Sequence, residues 1–133
     1  MESLKMILEE LQPTIITLCE TKLAESAHGL LEETLNKKQY KIVPRYTKAG
    51  EKGMVVAVKH NNFKTIRDVT QSQLKTIISV RLSTGSNNFR VILGYAPQET
   101  ADDDDRESFF NELELEIKNC EETGDSPLVI NNK

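Results

Sequence analysis

The sequence predicts an α/β layered sandwich, and three observations carry that expectation. A β-branched run, Thr14–Cys19 (TIITLC), stands alone between two helical patterns. From about residue 40 to about residue 95, strand-like segments follow one another with short polar turns between them. After residue 100 one long helical pattern leads into a last apolar run, Leu128–Ile130. Helices and strands are mixed, but the middle is hairpin-like. That order favours a layered α/β sandwich over a doubly wound parallel sheet.

The elements follow in order. Ser3 can cap a helix to about Leu11, with Leu4, Ile7, Leu8 and Leu11 on one face, and Pro13 ends it. Thr14–Cys19 has strand length and β-branched content. Ser26 opens a second helical stretch with Leu30, Leu31 and Leu35 as its apolar stripe; Gly29 weakens its first turn. YKIVPRY reads as a strand in which Pro44 marks an edge or a bulge. TKAGEKG is a turn, and Met54–Lys59 (MVVAVK) is a clear strand stopped by Asn61 and Asn62. Phe63–Val69 and Leu74–Leu82 are less regular strands, and TGSNN makes a hairpin turn before FRVILGY. The expected pairing is consecutive and antiparallel over this whole region. Asp102–Asp105 then precede a helix with Phe109 or Phe110, Leu113 and Ile117 inward. Acids there complement the helix dipole. As metal ligands they fit poorly, because four adjacent side chains diverge. Asp125–Pro127 look like a turn before the final strand.

The length of 133 residues suits one domain. Hydrophobic residues at 38% and charged residues at 29% describe a chain not embedded in a membrane, and no apolar run approaches the roughly 20 residues of a bilayer span. The acidic start, MESLKMILEELQ, lacks the pattern of a secretory signal, so a non-secreted protein is expected, and a cytoplasmic one fits the composition. Cys19 and Cys120, far apart, read as packed free thiols in a reducing compartment. The net charge of −4 hides a split: Lys37–Arg90 holds twelve Lys/Arg against two acids, and Ala96 onward holds three against twelve. A basic block suits a phosphate backbone. It equally suits lysines and arginines that cover strands and protect edges.

Phosphate loops, nucleophile elbows and paired histidines are absent from the sequence; His28 and His60 stand apart. Two strand exits remain. Glu20 follows the first strand directly, where a carboxylate could hold a hard cation such as Mg²⁺. Tyr95 closes FRVILGY, where its hydroxyl could meet a phosphate or move a proton. Each has a plain alternative: a solvent-facing acid, since one carboxylate is not a metal site, and a β-favouring aromatic at a strand edge.

Taken together and in order, the segments are more specific. CETKL at Cys19–Leu23, GMVVAVKH at Gly53–His60, VILGYAP at Val91–Pro97, ESFFNELE at Glu107–Glu114 and SPLVI at Ser126–Ile130 resemble the endonuclease/exonuclease/phosphatase superfamily. That superfamily includes DNase I-like nucleases and abasic-site endonucleases. The nearest likeness is to the endonuclease domain that precedes the reverse transcriptase of non-LTR retrotransposons. The resemblance runs over nearly the whole chain. It implies a partial four-layer α/β sandwich of the DNase I-like type with its C-terminal half missing, phosphodiester hydrolysis with Mg²⁺, DNA as partner, and a nuclear location as the alternative to a cytoplasmic one. It also implies Glu20 as catalytic metal ligand, and Tyr95 as a catalytic residue near the scissile phosphate. In such hydrolysis the metal neutralises charge on the phosphate and leaving oxygen, and an Asp/His arrangement helps activate water.

The departures matter as much. The family's opening strand, with its Asn near the metal, has no counterpart ahead of MESLKMILEEL. After SPLVI the family continues into G-D-x-N, whereas here Asn131, Asn132 and Lys133 follow Ile130. The late Asp-His pair is missing with the C-terminal half. The expectation is therefore a nuclease domain cut inside its active site and inactive alone. The alternative is a non-catalytic remnant that binds nucleic acid or protein. Half a sandwich would also leave an apolar face and an open edge, which invite self-association.

Overall fold

A computed structural model describes residues 14–19, 33–45, 53–74, 76–96 and 102–132. Seven strands and one long helix fall within them: β1 Ile15–Cys19, β2 Tyr40–Arg45, β3 Met54–Lys59, β4 Thr65–Asp68, β5 Ile77–Ser83, β6 Asn88–Tyr95, α1 Asp103–Thr123 and β7 Ser126–Asn132. The expected helix from Ser3, the start of the helix from Ser26 and Glu20 itself lie outside the described residues. No helix among the described residues is long and apolar enough to cross a membrane.

The strands form two sheets, ordered β1-β3-β2 and β4-β5-β6-β7. All pairings are antiparallel except β6 with β7, which α1 connects in parallel. The strand MVVAVK explains the layering. Met54 to Val58 are all buried, and a strand buried on both faces must lie between two layers. Met54, Val56 and Val58 meet Ile78, Val80, Leu82, Val91 and Leu93 between the sheets. Val55 and Ala57 point the other way, under Leu35 of the helical residues 33–37 and Tyr40. On the far side, Phe109, Leu113 and Cys120 of α1 cover Ile77, Ile92 and Ala96. The result is helix, sheet, sheet, helix, as the sequence predicts, and the inward aromatic of α1 is Phe109 while Phe110 stays exposed.

Two local expectations are corrected. The antiparallel pairing from residue 40 onward breaks between β3 and β4, where the chain changes sheets through a 3₁₀ turn at His60–Asn62. The His60 amide donates to Gln39 O at 2.9 Å and so closes the first sheet, whereas the Lys64 amide donates to Ser83 O at 2.7 Å and commits the chain to the second. Ser126 and Pro127 belong to a strand and not to a turn: they lie opposite Phe89 and Arg90. Gly124 makes the turn instead, in the left-handed region at φ 78°. The Gly124 and Asp125 amides return to Glu121 O and Cys120 O at 3.1 Å each, a glycine helix stop. The strand β7 runs on from Ile130 through Asn131 and Asn132. Pro44 sits on β2, an edge strand, where its missing N–H is tolerated.

Candidate functional site

The direction of the strands decides which ends meet. Lys41 Nζ donates to Ile66 O at 2.7 Å, and Arg45 donates to the Asp68 carboxylate at 2.7 Å. Moving along β2 therefore tracks β4, so the two run the same way across the stacked sheets. Since β1 and β2 are both antiparallel to β3, and β4 and β6 are both antiparallel to β5, strands β1, β2, β4, β6 and β7 share one direction. Cys19, Tyr95 and Asn132 thus close their strands at the same end of the sandwich. The expected Glu20 follows Cys19 directly in sequence.

Tyr95 is half-buried against the inter-sheet core, and its amide donates to Thr76 O at 2.9 Å. Its register partner on β7 is Asn132, and Asn131 lies opposite Gly94. The pairing brings the ends of the Tyr95 and PLVI segments side by side. A tyrosine hydroxyl can donate to or accept from a phosphate oxygen. Among the described residues no group of three His, Cys, Asp or Glu side chains could hold a metal ion. The residues on view therefore do not by themselves make a Mg²⁺ site.

The alignment of β7 rests on a buried ion pair that the sequence did not disclose. Asp125 has a fully buried side chain. Its Oδ2 accepts from Arg90 NH2 at 2.7 Å and Nε at 3.1 Å, and its Oδ1 accepts from Arg81 Nε at 3.2 Å. Arg90 also donates to Asn119 and Thr123 of α1. Burial pushes the Asp125 carboxyl up, but the Arg90 hydrogen bond, the Arg81 charge, the Thr123 hydrogen bond and the Arg90 charge outweigh it and hold it below the ordinary aspartate value. The guanidinium also lies beside the C-terminal turn of α1, which carries no basic residue of its own. Cys120, next to this cluster, is a buried free thiol as expected, and burial pushes its pKa up.

The basic block is not one patch. Arg90 and Arg81 serve Asp125, Arg45 pairs with Asp68, Lys41 bonds a backbone carbonyl and Lys37 pairs with Glu33. Five of its twelve cations thus hold the fold together or cover it, which is the plainer of the two readings of that charge. The four aspartates begin α1 as expected: Asp102 is the N-cap residue and Asp103–Asp105 fill the first turn.

The architecture is that of DNase I-like proteins, with a mixed α/β sandwich of two sheets and flanking helices. Over 98% of its length this chain superposes on 51% of the 3′ phosphatase NExo from Neisseria bound to product DNA hairpin, with TM-score 0.73 and 18% identity. Over 96% it superposes on 51% of truncated TDP2 from Caenorhabditis elegans, with TM-score 0.66 and 14% identity. Over 98% it superposes on 56% of the human nocturnin catalytic domain with bound sulfate anion, with TM-score 0.67 and 16% identity. The chain spans about half the length of these solved structures, all of them members of the endonuclease/exonuclease/phosphatase superfamily. No protein-family model matches the chain, and no curated protein matches it in sequence.

Proposed function

We propose that this chain carries one half of a Mg²⁺-dependent DNA endonuclease domain of the non-LTR retrotransposon kind, and that alone it binds nucleic acid without cutting it. The observation that carries this reading is the shared strand end: β6 delivers Tyr95, β7 delivers Asn132 beside it, and β1 points to the same end just before Glu20. The neighbours support the substrate class, since one of them is bound to product DNA. Glu20 is assigned as a carboxylate ligand of the metal and Tyr95 as the hydroxyl nearest the phosphate. When bound, Mg²⁺ would neutralise charge on the phosphodiester. Inactivity is inferred from the residues after Ile130, where Asn131 and Asn132 stand in place of the expected aspartate.

Plasmid nicking with Mg²⁺, run beside EDTA and Glu20→Ala, tests the reading. The expected result is no metal-dependent nicking by the wild-type chain, together with DNA binding that weakens as salt rises. Metal-dependent nicking that disappears in Glu20→Ala would overturn the inactivity while supporting the nuclease assignment. Absence of any DNA binding would overturn the nucleic-acid part and leave a protein-binding role as the alternative.

A further inference from the structure

Three arginines occupy one row across the outer face of the second sheet. Arg67 on β4 lies opposite Arg81 on β5, and Arg81 lies opposite Arg90 on β6. Their chain neighbours Ile66, Val80 and Val91 point into the inter-sheet core, so the row faces the other way, on the side that α1 partly covers. Directly opposed residues on paired strands hold their Cβ atoms about 5 Å apart, and like charges placed so repel. Among the described residues one carboxylate, Asp125, serves two of the three arginines. Asp125 spends Oδ2 on Arg90 and Oδ1 on Arg81 Nε. The two terminal nitrogens of Arg81, whose side chain is 37% exposed, and the exposed Arg67 have no ion-pair partner among the described residues. Glu121 and Glu122 at the end of α1 are exposed and form no ion pair with either arginine.

The geometry points to a phosphate-binding site at Arg67 and Arg81. Three cations and one anion leave the row with two positive charges, which one phosphate dianion would balance. Guanidinium forks match phosphate oxygens in bidentate fashion, and a tetrahedral oxyanion can satisfy two adjacent forks at once. Thr65 and Ser83 are the next opposed pair on the same face, and Lys64 lies against the turn at Gly85 beyond them. The site is separate from the Tyr95 end. Arg90 and Tyr95 are five residues apart on β6, about 17 Å along an extended strand, and the row sits on the outer face. The phosphate can be a free phosphate species or the backbone of a nucleic acid, and only the second source rests on the nuclease reading.

Arginine side-chain NMR separates these. Titration with inorganic phosphate is expected to move the Nε–Hε signals of Arg67 and Arg81 saturably and to leave that of buried Arg90 in place. Arg67→Gln, at an exposed position, is expected to keep the melting temperature and weaken phosphate binding by about tenfold or more. Arg67→Lys should recover only part of it, because the charge returns without the fork. Unmoved Arg67 and Arg81 signals, or wild-type phosphate affinity in Arg67→Gln, would overturn the site. A short single-stranded oligonucleotide then identifies the source. If it moves the same signals, and Arg67→Gln lowers the salt slope of binding by about one, the ligand is nucleic-acid backbone. If only inorganic phosphate moves them, the site stands as one for a free phosphate species, whatever happens to the nuclease reading.

Discussion

A buried carboxylate costs free energy unless its charge is matched, and Asp125 is matched by two guanidiniums. In matching them it fixes the first residue before β7, and so the register that brings Asn132 level with Tyr95. Asp125→Asn keeps the shape but leaves Arg90 buried without an anion. The expected loss is about 3–5 kcal/mol, the usual result of removing one partner from a buried pair. Urea unfolding at neutral pH measures it, and adding Arg90→Met to the variant should recover part of the loss. The same group predicts a pH dependence. Its folded pKa is lowered, so its contribution to stability is in place above the ordinary value near 3.8 and is lost as pH falls through the folded value. Stability in Asp125→Asn should therefore fall less steeply below about pH 4 than in the wild type. Nothing near Asp125 in sequence announced this role. DSP has turn composition, and its partners lie 35 and 44 residues away.

At the scale of elements, the join between α1 and β6 depends on a missing side chain. A Cβ on Gly94 would lie 3.0 Å from Phe109 Cζ and 3.4 Å from Leu113 Cδ1, closer than a packed ring tolerates. Gly94→Ala is expected to cost about 1–3 kcal/mol by overpacking. Adding Phe109→Leu should return part of the loss, which thermal unfolding of the two variants would reveal. Wild-type stability in Gly94→Ala would mean that α1 can ride higher on the sheet. This element scale is also where the sequence was most legible. MVVAVK and FRVILGY declared themselves by apolar content, and the stripe Phe109, Leu113 declared the buried face of α1. The change of sheet after β3 was hidden, because Asn61 and Asn62 look like any hairpin turn. What separates the cases is the pair of distant amide bonds to Gln39 and Ser83. Around the candidate site, the strand pattern FRVILGY ended at Tyr95 and so does β6, while Asn132 gained its position only from the parallel pairing across α1.

At the scale of the molecule, the two sides of the sandwich are unlike. On one side β2 and β4 are laced together by Arg45–Asp68 and Lys41–Ile66 O, and β4 is short, with Arg67 and Asp68 on it. Those are the features by which natural sheets blunt an edge. On the other side β1 and β7 are the outer strands among the described residues. There β7 is seven residues long and has no charged residue, Leu128 is 49% exposed and Val129 is 40% exposed. Phe89, on the adjoining β6, adds a further exposed aromatic ring. Among the described residues nothing pairs with the outer edge of β7, and an uncharged edge strand with apolar side chains in water is a template for another strand. The proposal of self-association through this side follows. Sedimentation velocity on the wild-type chain should show an average mass that rises with concentration, and Leu128→Lys, which places a charge on the open edge, should return it towards the monomer. The acid-rich helix α1 packs beside β7, so added salt should strengthen the association by screening repulsion between the helices of the two copies. A wild-type chain that stays monomeric at every concentration would show that the β7 edge is protected without a partner, and the open-edge argument would fail.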